Sequence, residues 1–185
     1  VVIAGGIRHS QVPLEAKKEE VRYAIDHGAD EIDICLNRAL FLCGNQTKAA
    51  EEISDLKDLI VCRRKEVVLK VILETGELQT LSNVWRASLL ALKSGADFIK
   101  TSTGKISCGA DVYSASVMLL ALREHYRKSG IIKGLKVAGG IREPLEAVKY
   151  KRLFEYFISD NIKLGNNFRI GCSRLFDALK SEIQK

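Results

Sequence analysis

Three lysines and one aspartate stand inside or at the end of runs that are otherwise apolar. Lys70 lies within Val67-Val68-Leu69-Lys70-Val71-Ile72-Leu73, Lys100 follows Phe98-Ile99, Lys136 precedes Val137-Ala138, and Asp33 falls in Ile32-Asp33-Ile34-Cys35. A lysine in apolar surroundings is costly to ionise, so burial pushes its amine toward the neutral, nucleophilic form. A single residue of this kind is most simply a strand-end charge reaching for water. Four of them on four strands are expected to share a pocket if those strands converge on one axis. On consecutive parallel strands, about 4.8 Å apart, the amines of Lys100 and Lys136 would depress each other's pKa. Asp33 would position a water or exchange protons with a hydroxyl.

Glycine-bearing turns follow the last three apolar runs: Thr103-Gly104-Lys105, Ala138-Gly139-Gly140 and Gly171-Cys172-Ser173. Each alone is an ordinary turn. Together they match the loops where barrel proteins hold phosphate, against backbone N–H groups and a helix N-terminus. Ser173 is expected to serve as helix N-cap and phosphate donor. An amine nucleophile beside an anion seat points to Schiff-base chemistry on a phosphorylated sugar. A protonated imine at Lys100 would act as an electron sink. No residues with metal-ligand spacing stand ready for that task. His9, His27 and His125 are isolated; the five cysteines are odd in number and lack a C-x-x-C pair. Reduced thiols in a cytoplasmic protein without zinc are expected.

These residues need a scaffold that brings strand ends together. Short β-rich runs alternate with amphipathic stretches, and no Pro/Ser-rich linker interrupts them, so 1–185 is expected to be one domain. Strands are predicted over 1–4, 31–36, 67–73, 97–101, 135–138 and 168–170. Helices are predicted over 14–26, 47–61, 80–93, 112–128, 144–159 and 174–183. In the third helix Leu81, Val84, Trp85, Ser88, Leu89 and Leu92 share a face at helical spacing, which predicts Trp85 in the core. Gly28, Gly95 and Gly130 stand where helix-ending glycines belong.

Two internal echoes sharpen the architecture. Gly28-Ala29-Asp30-Glu31-Ile32-Asp33 parallels Gly95-Ala96-Asp97-Phe98-Ile99-Lys100, which puts Asp33 and Lys100 at equivalent points of two units. Ala4-Gly5-Gly6-Ile7-Arg8 with Pro13-Leu14-Glu15-Ala16 recurs as Ala138-Gly139-Gly140-Ile141-Arg142 with Pro144-Leu145-Glu146-Ala147. Repeated units favour a closed ring over a doubly wound sheet, and no G-x-G-x-x-G marks a dinucleotide site. The predicted fold is an α/β TIM (β/α)8 barrel, incomplete at six strand–helix units. A whole barrel takes about 250 residues, against 185 here. The chain opens on Val1-Val2-Ile3-Ala4 without methionine. It is therefore expected to be an amino-terminally shortened version of a longer protein.

The net charge of +6 comes from basic residues interspersed with acidic ones, Arg63-Arg64-Lys65 being the only dense run. That pattern suits helix faces and attraction of anionic metabolites better than nucleic acid, and no nucleic-acid partner is expected. No apolar run reaches membrane-spanning length, and no signal peptide is visible, so no membrane partner is expected either.

The segments Asp30–Asp33, Leu69–Leu78, Phe98–Lys105, Lys136–Arg142 and Phe168–Ser173 resemble deoxyribose-phosphate aldolase. The likeness covers essentially the whole chain in order, and Phe98-Ile99-Lys100-Thr101-Ser102-Thr103-Gly104-Lys105 is its most specific part. The resemblance implies a class I aldolase that cleaves 2-deoxy-D-ribose 5-phosphate to glyceraldehyde 3-phosphate and acetaldehyde, with no cofactor or metal. By that likeness Lys100 forms the Schiff base, Lys136 perturbs its pKa, and Asp33 transfers protons with a water. Substrate and phosphate contacts are expected from Lys70, Thr103, Gly104, Lys105, Gly139, Gly140, Gly171 and Ser173. The expected partners are a small sugar phosphate and, for assembly, a second copy in a homodimer. Val137 stands where the family usually has proline, and Ser107-Cys108-Gly109 where it has Val-Asn-Ala. Two rivals are a non-catalytic sugar-phosphate-binding or scaffold relative, and a Schiff-base aldolase acting on ketose phosphates.

Overall fold

Short β-rich runs become parallel strands, and the stretches between them become helices laid over one face of the sheet. A computed structural model describes residues 2–5, 12–158, 164–173 and 175–183. In chain order these form β1 (Val2–Gly5), α1 (Leu14–Asp26), β2 (Glu31–Cys35), α2 (Arg38–Leu42), α3 (Gln46–Arg63) and β3 (Val68–Ile72). There follow α4 (Leu81–Lys93), β4 (Phe98–Lys100), α5 (Val112–Ser129), β5 (Gly134–Ala138), α6 (Pro144–Phe157), α7 (Leu164–Asn167), β6 (Phe168–Gly171) and α8 (Leu175–Ile183). The strands pair in the order β1-β2-β3-β4-β5-β6, all parallel. A doubly wound sheet would reverse its strand order partway; this one never does. The result is the predicted incomplete barrel of six units.

Side chains alternate across each strand. Ile32, Ile34, Leu69, Val71, Ile99, Leu135 and Val137 face the helices and join Val21, Ile53, Leu56, Ala87, Met118 and Phe154 in one buried cluster. The opposite parity carries Glu31, Asp33, Lys70, Phe98, Lys100 and Lys136 along the inner face. Register places Asp33 beside Lys70, and Lys100 between Ile72 and Lys136. The chemistry-bearing residues therefore share one face by the period-2 rule and this register.

Local signals set the helix ends. Asn45 accepts from Lys48 N–H at 3.3 Å, Thr80 from Asn83 N–H at 3.1 Å, and Asp111 from Ser114 N–H at 2.8 Å. Each satisfies an amide that the first helical turn leaves open. Gly28, Gly95 and Gly130 follow α1, α4 and α5 with φ of 84°, 101° and 70°. The two arginines of the basic run at the end of α3 form ion pairs, Arg63 with Asp26 at 2.7 Å and Arg64 with Asp30 at 2.8 Å.

One expectation is corrected on α4. Its buried face is Val84, Ala87, Ser88, Leu89, Ala91 and Leu92, whereas Leu81 and Trp85 are 46% and 37% exposed. The small Ala87 and Ala91 take the positions against neighbouring elements, and Ser88 fits because its hydroxyl donates to Val84 O at 2.7 Å. Trp85 is turned outward, where it borders a groove with Leu120 and Arg123 of α5. The short α2, α7 and the turn Thr75–Glu77 carry too little periodicity to be predicted. Val1, Gly6-Ile7-Arg8, Ser159 and Arg174 lie outside the described residues. Among the described residues no helix is long and apolar enough to cross a membrane.

Candidate active site

Lys100 ends β4 and Lys136 sits mid-strand in β5, and adjacent register aims both amines at the carboxylate that β2 contributes. Lys100 Nζ donates to Asp33 Oδ2 at 2.8 Å, and Lys136 Nζ donates to the same oxygen at 2.7 Å. Asp33 is 1% exposed and Lys100 8%. Burial pushes the Lys100 amine down, Asp33 pulls it back up, Lys136 pushes it down again, and the net position is below the ordinary lysine value. For Asp33, burial raises the carboxyl, but Lys100 and Lys136 outweigh burial and hold it below the ordinary value. A depressed amine and an ionised carboxylate thus share one hydrogen bond.

Beneath this pair lies a second layer of charge. Lys70 is fully buried, with Nζ 2.5 Å from Glu31 Oε2 and 3.3 Å from Asp33 Oδ1. These are contacts of charge and not aligned hydrogen bonds. Arg169 reaches Glu31 Oε1 at 3.4 Å and packs its guanidinium 5.1 Å from the centre of the Phe98 ring. Burial raises the Glu31 carboxyl, while Lys70 and Arg169 bring its net position below the ordinary value. Phe98 needs Gly134 opposite it, since a Cβ there would fall 2.2 Å from the ring.

Above the pair opens a cavity of about 380 Å³, lined by Lys100 and Lys136 and by three loops after β4, β5 and β6. Of the expected contacts, Thr103, Gly104, Lys105, Gly139, Gly140, Gly171 and Ser173 all face it. Lys70 does not: it lies under Asp33 with no exposed surface, so its place is that of a buried counter-charge and not of a substrate contact. Arg142, unassigned from sequence, adds a cation to the lining. The loops lock to one another through Ala110 N–H, which donates to Gly139 O at 3.0 Å, and through Thr101 Oγ1, which donates to Ala138 O at 3.0 Å. Among the described residues no three His, Cys, Asp or Glu side chains converge as a metal site.

Besides Arg142, the residues missed from sequence are supporting ones: Glu31, Arg169 and Phe98 below the amines, and Glu74 behind the Thr103 loop. The period-2 pattern already put Glu31 on Asp33's face, and that was the available signal. Glu74 carried none, because an acidic residue before a turn is unremarkable.

A singly wound parallel barrel with polar side chains at the carboxyl ends of its strands defines a class, barrel proteins whose ligands bind at that end. The pattern of the DeoC/LacD family aldolases matches residues 4–172, and the chain belongs to that family. It is 40% identical over 181 residues to the deoxyribose-phosphate aldolase of Mus musculus, covering 98% of this chain and 56% of that one. The Agrobacterium fabrum deoxyribose-phosphate aldolase is 40% identical over 158 residues, covering 85% and 58% respectively. The deoxyribose phosphate aldolase from Aeropyrum pernix, described as tetrameric, superposes with a TM-score of 0.77 at 25% identity, over 98% of this chain and 67% of that one. The chain spans a little over half the length of the curated relatives it matches.

Proposed function

We propose that this chain carries the Schiff-base site of a metal-independent deoxyribose-phosphate aldolase that cleaves 2-deoxy-D-ribose 5-phosphate. The neutral Lys100 amine adds to the C1 carbonyl of the open-chain sugar and expels water, leaving a protonated imine. Asp33, through a water, takes the proton from the C3 hydroxyl. The C2–C3 bond then breaks, its electrons pass into the enamine, and glyceraldehyde 3-phosphate departs with C3 as its aldehyde. Protonation at C2 and hydrolysis release acetaldehyde and restore the amine. Lys136 keeps Lys100 from holding its proton, and the loops of Thr103, Gly104, Lys105, Gly139, Gly140, Gly171 and Ser173 seat the phosphate. In this reading 1–185 is a single, partial barrel domain, cytoplasmic and assembled as a homodimer.

One observation carries the reading. A depressed lysine at a strand end shares an aspartate oxygen with a second lysine, on the floor of a cavity walled by glycine turns. The test is borohydride reduction in the presence of 2-deoxyribose 5-phosphate, followed by peptide mass mapping. A covalent adduct on Lys100 is expected, and lost in Lys100→Ala. An adduct on another residue, or none, overturns the assignment. A thermal shift with the sugar phosphate but no product would instead favour a non-catalytic binding relative.

A further inference from the structure

Glu74 lines no part of the cavity and takes no part in the chemistry above, yet it is held in an unusual way. It is 2% exposed, and its backbone is left-handed, with φ 54° and ψ 62°. That region strains any residue with a Cβ and persists only where the surroundings hold it. A buried carboxylate also needs its lone pairs filled. Thr103 meets the second need. Thr103 N–H donates to the two Glu74 oxygens at 3.1 and 3.3 Å, and the Thr103 hydroxyl donates to Oε2 at 2.6 Å. The same hydroxyl accepts from Lys105 N–H at 3.1 Å.

One carboxylate therefore holds Thr103 directly, and the Thr103 hydroxyl it bonds holds Lys105 N–H in turn, so a residue outside the cavity lining braces the Thr103-Gly104-Lys105 wall. The turn that Glu74 opens is itself anchored to the following loop. Thr75 N–H donates to Thr101 O at 3.0 Å, and Gly76 sits so close to Cys108 that a Cβ would fall 2.6 Å from the Cys108 Cβ.

We propose that Glu74 is a positioning residue for the substrate's phosphate: it clamps the Thr103–Lys105 loop in the shape that receives the anion. The inference rests on the reading of the cavity as a sugar-phosphate site. Its sign is distinctive. A carboxylate acting only through its charge would repel a phosphate, so its removal would tighten binding. A clamp gives the opposite result.

The test compares borohydride trapping of 2-deoxyribose 5-phosphate with that of unphosphorylated 2-deoxyribose, on the full chain and on Glu74→Gln and Glu74→Gly. Glycine relieves the left-handed strain while removing the carboxylate, so its fold is the less endangered of the two. The unsubstituted chain is expected to favour the phosphorylated sugar; if it traps neither sugar or shows no preference, the site reading fails, and the inference with it. Given that preference, both variants are expected to raise the half-saturating concentration of the phosphorylated sugar about tenfold or more, the scale of one lost charge-assisted hydrogen bond. Trapping of the unphosphorylated sugar should stay within about twofold, since the Asp33–Lys100–Lys136 cluster is untouched. Thr103→Val, which loses only the hydroxyl that joins Glu74 to Lys105 N–H, should weaken trapping of the phosphorylated sugar in the same direction. Equal losses with both sugars, an undiminished preference, tighter phosphate binding, or a neutral Thr103→Val would each overturn the proposal.

Discussion

Asp33→Asn is the substitution that the inner face should tolerate least. It keeps the side chain's size but removes the negative charge that two lysines share, at 2.8 and 2.7 Å. The side chains of Lys100 and Lys136 are only 10% and 12% exposed, so water from the cavity replaces Asp33 poorly. Breaking a buried ion pair by removing one partner costs about 3–5 kcal/mol, a large share of the roughly 5–15 kcal/mol that holds a domain folded. For a chain of this size that is a fall of about 10 °C in melting temperature. The deficit should depend on pH. Asp33 is what raises Lys100 against burial, so its loss lowers that amine further from the ordinary lysine value. The folded variant is thus penalised while its unfolded chain stays protonated, and the penalty shrinks as pH rises toward the lysine range. Melting both proteins at about pH 6 and about pH 9.5 should show the larger gap at the lower pH. The unsubstituted protein has its own acid limit. The depressed Asp33 carboxyl contributes stability that is complete above its ordinary value of 3.8 and lost as pH falls through its folded value. A variant that melts with the parent near pH 6, or a gap equal at both pH values, would refute the picture of a charge-balanced cluster.

Two further substitutions probe the mouth of the site. Lys136→Met removes a group that pushes the Lys100 amine down, so that amine should titrate higher. Trapping needs the neutral amine, and the rising limb of its pH profile should therefore move to higher pH; an unmoved limb would deny Lys136 this role. Gly109→Ala would place a Cβ 2.4 Å from Gly139 O, next to the bond from Ala110 N–H to that oxygen. A loss of about 1–3 kcal/mol in stability is expected, together with weaker trapping of the phosphorylated sugar. A variant unchanged in both melting and trapping would show that the two loops are not locked together.

How far the sequence reveals this molecule depends on which physical signal each part leaves. Strands were legible because their β-branched runs are short and bounded by turns, and β2 through β5 fall within a residue or two of the expected limits. The charged residues inside those runs were visible too, but which of them share the inner face is read from the register of the strands. The α4 stripe was misread because periodicity finds a face but does not weigh small residues against large. Ala87 and Ala91 are poor hydrophobic markers, yet they take the tightly packed side, and Trp85 swings outward. The Ser107-Cys108-Gly109 departure also looks different in three dimensions: Gly109 leaves room for Gly139 to approach, so the change belongs to the packing of two loops.

The site divides along a similar line. Lys100, Lys136 and Asp33 stood out because each sits in the wrong environment for its type, and charged residues in apolar strands are rare enough to be noticed. Lys70 gave the same signal for a different reason. Its amine, locked between Glu31 and Asp33, has no route to a ligand and instead adds positive charge beneath the aspartate. Glu31 completes the balance, because without it Asp33 alone would face three amines. Glu31 answers Lys70 and Arg169, and Asp33 is left to bond the two lysines that open on the cavity. A misplaced charge is therefore visible in a sequence, but whether it meets solvent or another charge is decided by strand register. Here two residues of register, Asp33 beside Lys70 and Lys100 beside Lys136, separate the buried lysine from the two exposed to the cavity.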